Sequence, residues 1–284
     1  MNKHILFIAL LGLSVSCLYA QQPKIQGAGN MSLDPAKVSI LDHAKYRVYY
    51  DMKRQPDAQS DHKISGLCML QVGDSVNKFW DYNQYRRDSI YDVGVTEKKS
   101  VLELMPIMQD KALRNRFSPI VFLNRTSNLT NVYISIGLND YTYSEKTPTQ
   151  QWTLAPGDSI IAGYKCKKAT TAFRGRDYVA WYTEEVELPF GPYLFGGLPG
   201  LIFKLTDTHG HYDFTLAGLE VIKGNDPIYM SDGKWKSVTR QDAMKAEKNY
   251  CADPVKSLIA RGVIIDKETQ ASVPPKPYNP IELQ

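Results

Sequence analysis

Three observations predict a mainly β fold: a single curved antiparallel sheet or open half-barrel, with short helices near the C-terminus. Apolar residues recur with period two over roughly ten segments. Turn-forming residues separate most of these segments. Helical periodicity is nearly absent before Thr239. The composition, 284 residues that are 43% apolar and 23% charged, is that of an ordinary globular chain and excludes a disordered or collagen-like one. A net charge of +4, with basic residues scattered among acidic ones, argues against nucleic acid as a partner.

Lys3 and His4 precede an apolar run from Ile5 to Leu13, then small residues and Leu18-Tyr19-Ala20, the order of a secretory signal peptide over residues 1–20. The run is shorter than the roughly 18 residues that span a bilayer, and no later stretch is both that long and uncharged, so no transmembrane segment is expected in the mature chain. Export to the periplasm, the outer membrane or the medium follows. Cys17 offers a competing lipoprotein site, but Ser14 stands where such sites usually carry Leu, and cleavage after Ala20 is preferred. Cys68, Cys166 and Cys251 then remain, enough for one disulfide of undetermined pairing.

Residues 21–42, rich in Gln, Gly, Asn and Pro, read as an extended lead-in. Residues 43–272 read as one β-rich domain, and 273–284, with Pro274, Pro275, Pro277 and Pro280, as an extended tail. Strands open with Ala44–Met52, where Tyr46, Val48, Tyr50 and Met52 share a face, and continue with Leu67–Val72 and Lys78–Tyr82. Ser100 caps a predicted helix from Val101 towards Arg116, kinked at Pro106. Strands resume at Ile120–Leu123 and Val132–Ile136, turn at Asn139-Asp140, and continue through Tyr141–Ser144 and Gln151–Leu154. Ala155-Pro156-Gly157-Asp158 reads as a hairpin turn, after which Ile160, Ala162, Tyr164 and Cys166 share one strand face. Further strands are expected at Thr170–Phe173, Tyr178–Thr183, Leu201–Thr206 and Tyr212–Leu216, with His209-Gly210 as a hairpin tip. Thr239 or a neighbouring residue starts a helix through Tyr250, and Asp253-Pro254 caps another whose buried stripe is Val255, Leu258 and Ile259, stopped by Gly262.

Gly197-Leu198-Pro199-Gly200-Leu201-Ile202 is the most distinctive segment. Physically it reads as a type II turn over Leu198–Leu201, with Gly200 at the positive-φ position, feeding a strand covered on both faces. No Lys-Ser or Lys-Thr follows the glycines, so it is not a phosphate loop. Together with Gly163-Tyr164-Lys165-Cys166, Ala180-Trp181-Tyr182-Thr183, Gly191-Pro192 and Asn279-Pro280-Ile281-Glu282-Leu283, it resembles the GLPGLI family of secreted proteins of the Bacteroidota. That resemblance implies export and no transferable catalytic residue, because the family has no established activity. The strand-rich curvature is also similar to the periplasmic lipoprotein-carrier architecture, an open half-barrel with helices in its mouth.

Chemistry-bearing clusters are few. His209 and His211 could share a metal with Asp207 or Asp213, but on a glycine turn they read as solvated. Glu185 and Glu187 on one strand face read as a solvated edge, since glycoside chemistry needs carboxylates opposed across the bond. No G-x-S-x-G elbow, H-E-x-x-H helix or Cys/His signature is present, and no metal or other cofactor is expected. The aromatic stretch with its two arginines, Arg174, Arg176, Tyr178, Trp181 and Tyr193, is the candidate ligand or partner surface. The function expected is that of an exported, non-catalytic cell-envelope protein binding an apolar ligand or an envelope partner. A secreted hydrolase or metal-dependent enzyme, and a structural accessory of an outer-membrane assembly, are the alternatives.

Overall fold

The computed structural model describes residues 31–260 and 262–284. The predicted signal segment, Cys17 and residues 21–30 of the lead-in lie outside the described residues. The first half of the chain forms β1 (Val38–His43), β2 (Tyr46–Arg54), β3 (Ile64–Val72), β4 (Val76–Asp81), α1 (Tyr82–Thr96), α2 (Val101–Met108), β5 (Ile120–Asn124), β6 (Leu129–Ile136) and β7 (Asn139–Lys146). The second half forms β8 (Thr153–Ile161), β9 (Tyr164–Phe173), β10 (Arg176–Thr183), β11 (Leu201–Asp207), β12 (Tyr212–Val221), β13 (Pro227–Ser231), β14 (Lys236–Ser237), α3 (Arg240–Ala252), α4 (Pro254–Ile259) and α5 (Lys267–Ser272).

Twelve strands make one large, curved, unclosed sheet in the order β14-β7-β6-β5-β4-β3-β2-β12-β11-β10-β9-β8, antiparallel throughout except for the β14–β7 pair. It consists of two meanders, β2 to β7 and β8 to β12, seamed where β12 returns to lie along the whole of β2. The fold is therefore mainly β with a few short helices, as the period-two pattern predicts. The predicted inward face of β2 is the real one: Val48, Tyr50 and Met52 are buried. Among the described residues there are more strands than predicted, because β1, β13 and β14 carry no clear alternation.

The core lies on the concave face and draws on both meanders: Tyr50, Phe79 and Val121 from one, Tyr178, Phe203 and Phe214 from the other. Between them the chain inserts the loop residues Tyr193, Leu194, Phe195 and Leu198, and Ile281 of the tail. Phe117 joins these layers, its ring meeting Phe79, Phe214 and Tyr193 edge-on at 5.7 to 5.9 Å. Each such buried aromatic contributes on the order of 2 kcal/mol by leaving water. The convex face over β3 and β4 is covered as well, by α1 and by the two-stranded β1–β13 ribbon. All six residues of β4 are consequently buried, Lys78 among them.

Several local expectations are corrected. The motif does not form a type II turn: the Leu201 amide donates to Val186 O, and the positive φ falls at Gly197, not Gly200. Gly200 is required for another reason, since a Cβ there would stand 1.9 Å from Thr183 O. Residues 155–158 form a bulge inside β8 instead of a hairpin, and the chain reverses at Ala162-Gly163, both at positive φ. Cys166 is nevertheless buried in the core, as its strand position implied. The β6–β7 turn is Gly137-Leu138, two residues before the predicted Asn139-Asp140.

The capped helix at Ser100 ends at Met108, because Asp110 caps a separate short turn at Lys111–Leu113. Helix α1 has no sequence forecast, since its apolar residues do not recur at helical spacing and only Gly94 is buried. Thr239 and Asp253 cap α3 and α4 as predicted. Ile259, however, is exposed instead of completing a buried stripe. Cys68, Cys166 and Cys251 are all unpaired. No helix among the described residues is long and apolar enough to cross a membrane.

Gly200→Ala is expected to cost roughly 3 kcal/mol or more, because backbone must separate from backbone, whereas Gly197→Ala costs about 1–2 kcal/mol of left-handed strain alone. Paired denaturant titrations read the difference, and equal losses would show that the close approach to Thr183 does not constrain the fold.

Candidate functional site

Four of the five residues nominated as a surface lie inside, where they grip the chain's own tail. Arg174 pairs with Glu145 at 2.7 Å and Glu282 at 2.5 Å. Burial alone would lower its pKa, but the two carboxylates outweigh that and hold it firmly charged. Arg176 pairs with Asp207 at 3.0 Å and donates to Asn279 Oδ1 and Pro280 O. The Tyr178 hydroxyl donates to Ile281 O and the Tyr193 hydroxyl to Glu282. Arg176, Tyr178 and Tyr193 are buried and Arg174 is mostly so, and all four are engaged in anchoring residues 279–282. Only Trp181 is partly open, near Lys168 on the outer face.

The other nominated clusters also resolve. His209 and His211 lie side by side with ring centroids 5.5 Å apart. Burial depresses the His211 pKa, and its Nδ1 is 3.1 Å from Arg176. Asp207 binds Arg176 and the Tyr212 amide, and Asp213 binds Thr206 and Thr215. Among the described residues no three His, Cys, Asp or Glu side chains are placed to hold a metal ion. Glu184 and Glu185 sit on an exposed turn after β10, not on a strand, with Glu184 paired to Lys167.

The concavities gather at the end of the sheet where β2, β4 and β6 finish and β5 and β12 begin. Three clefts adjoin there, and Arg54, the last residue of β2, contributes to all of them. Its Nε–H donates to Arg116 O at 2.7 Å. The innermost cleft, about 130 Å³, runs beneath α3 towards Tyr143 and Ile281. A second, about 300 Å³, lies between α3 and the tail, and Glu247 lines both. Burial raises the Glu247 pKa, Arg54 opposes the rise and Glu282 adds to it.

The third cleft, about 360 Å³, opens on the convex side and has the most unusual lining: Lys78, Trp80, Tyr133, Trp235, Arg116 and Asp88. Alternation along β4 puts Phe79 into the core and Lys78 and Trp80 on the opposite face, against α1 and β13. Lys78 Nζ lies 3.1 Å from the centroid of the Trp80 ring and 4.2 Å from that of Tyr229, and donates to Tyr229 O at 2.9 Å. No carboxylate lies within salt-bridge distance of it among the described residues. Asp88 accepts from the Tyr229 hydroxyl and from Gln84, and Asp226 is taken by Arg47 and Gln71. Burial pulls the Lys78 pKa down to about 7 against the weaker pull of Asp88 and Asp226. The Trp80 indole N–H is buried with no acceptor, and so is that of Trp235, whose ring meets Tyr133 at 5.0 Å.

A lysine between Val76 and Trp80 in an alternating strand is the one sequence signal that pointed here, but it reads as an outward charge unless the outer face is known to be covered. The chain thus belongs structurally to the mainly β proteins with one large open sheet, and its polar chemistry sits at the sheet's end. No family model matches the chain, nor does any curated protein. Two solved structures of PNGF-II are similar to it. The C2 crystal form gives a TM-score of 0.48 at 13% identity, over 72% of this chain and 33% of that one. The P21 form gives 0.48 at 12% identity, over 74% and 34%. This chain spans about a third of those chains, and likeness at that level carries no argument about activity.

Two stability tests follow. Glu282→Ala leaves Glu145 as the sole carboxylate facing Arg174 and Arg240 and takes the acceptor from Tyr193, so it is expected to cost about 2–3 kcal/mol, against about 1 kcal/mol or less for breaking the exposed Lys167–Glu184 pair. Denaturant unfolding of both variants measures this. For Lys78, the unfolded chain holds a proton that the folded chain lacks between about 7 and 10.5, so its destabilising effect grows as pH falls through that window and is complete below it. Lys78→Met should therefore raise the melting temperature more at pH 6 than at pH 10; an equal shift at both would show that the amine is not desolvated.

Proposed function

We propose that the protein is an exported, non-catalytic binding protein of the cell envelope, a member of the GLPGLI group, and that it takes an anionic, ring-bearing ligand of the acidic-saccharide class in the convex cleft. The observation that carries this reading is the lining itself: Arg54 and Arg116 supply positive charge, while Trp80, Tyr133 and Trp235 supply flat faces. Guanidinium groups favour a carboxylate or sulfate, and aromatic faces suit the apolar faces of a sugar ring. A volume of about 360 Å³ suits one or two such rings. The concave face, by contrast, is occupied by Phe195, Leu198 and Ile281, so a bulky apolar ligand has no comparable room there. Export rests on the charged-apolar-small pattern of residues 1–20.

Titration calorimetry of the purified protein against uronic-acid and neutral oligosaccharides of equal length tests the reading. Micromolar to millimolar binding of the acidic series is expected, weakened about tenfold by Arg116→Ala and again by Trp235→Ala, and weakened by salt. Equal binding of neutral and acidic sugars, or none of either, would overturn it. Release of new reducing ends would move the assignment to the hydrolase alternative.

A further inference from the structure

Lys78 stands apart from the other charged groups of the fold. Arg176, the other cation buried to the same degree among the described residues, faces Asp207 at 3.0 Å, whereas Lys78 faces rings and one carbonyl oxygen. An arrangement with no counter-charge is a poor way to hold an ammonium ion and a good way to hold a free amine, because a neutral nitrogen keeps its lone pair available and needs no compensating charge. Lys78 is only 2% exposed, but it does not lie in the concave core. It lines the convex cleft beside Trp80 and opposite Arg116 and Arg54, where a small ligand has room to approach it.

We propose that Lys78 is a carbonyl-capturing amine, which forms a reversible imine with a ligand that brings an aldehyde or ketone group into the convex cleft. This deepens the proposed function and rests on the same cleft, adding that the ligand is held through a carbonyl carbon such as the open-chain reducing end of a saccharide. The Nζ lone pair attacks the carbonyl carbon and the C=O π pair moves to oxygen, which takes up one N–H proton to give a carbinolamine. The nitrogen then expels that hydroxyl with a second N–H proton as water, leaving C=N. Hydrolysis runs the same steps backwards, so no oxidant, reductant or metal is required. Arg54 and Arg116 across the cleft favour a ligand that carries an anionic group beyond the carbonyl.

The groups that face Lys78 are Asp88 from α1, Asp226 and Tyr229 from β13 and the residue before it, Gln71 opposite it on the paired strand, and the rings of Trp80 and Phe122. Among these the carboxylates are engaged with Tyr229, Gln84, Arg47 and Gln71, so the amine's availability between pH 6 and 9 is set by its own burial.

The test uses the intact protein with 4-carboxybenzaldehyde as an anionic, ring-bearing aldehyde probe, cyanoborohydride to trap any imine, and peptide mass mapping across pH 6 to 10. Lys78 is expected to label at pH 7 at least tenfold faster than the exposed Lys98 and Lys167, with a rate that levels off above about pH 7 while theirs keeps climbing. Benzaldehyde, which lacks the carboxylate, should label Lys78 several-fold more slowly. Labelling of the surface lysines with Lys78 untouched, or of Lys78 at their rate and with their pH profile, would overturn the proposal. The result is separable from that of the saccharide titration: binding without trapping refutes the imine alone, and trapping without saccharide binding refutes the saccharide class alone.

Discussion

A twelve-stranded sheet that curves without closing leaves a broad concave face, and the rest of the structure depends on how that face is filled. Side chains of the strands reach only part of the way across, so the chain supplies inserts of its own: the loop carrying Tyr193, Phe195 and Leu198, and the tail carrying Ile281. Each insert has a specific latch. The loop returns to the sheet where Gly200 passes so close to Thr183 that no side chain fits between them. The tail is drawn in by Arg174, Arg176 and Tyr178, all donating to groups of residues 279–282. A buried ion cluster is a costly latch in free energy, but it is a directional one, and removing a partner leaves a charge stranded.

Filling the concave side moves the polar chemistry elsewhere. Strand β4 is covered on both faces, and the outer covering mixes a small apolar cluster of Val76, Phe122 and Ile228 with polar groups. Its inner face gives Phe79 to the core, while its outer face places Lys78 and Trp80 under α1 and β13, among aromatic rings and spoken-for carboxylates. A fold selected for stability alone would put an apolar side chain at position 78. Keeping an amine there, beside unpaired indole N–H groups and two arginines, is the kind of local conflict with packing that marks a functional position.

Much of the fold was legible because β-strands announce themselves locally. Val48, Tyr50 and Met52 alternate in the sequence and in the structure, and Thr239 and Asp253 cap the helices they were expected to cap. What escaped were elements whose formation depends on distant chain. Strand β1 exists through its pairing with β13, and α1 is a polar helix that survives by lying on the convex face. The aromatic stretch around Trp181 looked like a surface because rings and arginines suit one; which way they face was settled by a tail about a hundred residues further on.

The amino-acid sequence by itself determined the β class, the antiparallel meander and the late helices, because each of these is written in periodicity and capping over a few residues. Only the tertiary structure decided where the polar chemistry lies. Whether Arg174 clamps the tail or meets a partner, and whether Lys78 is a solvated charge or a buried amine, depends on what covers each position, and burial is a property of segments that meet in space after the sheet has curved.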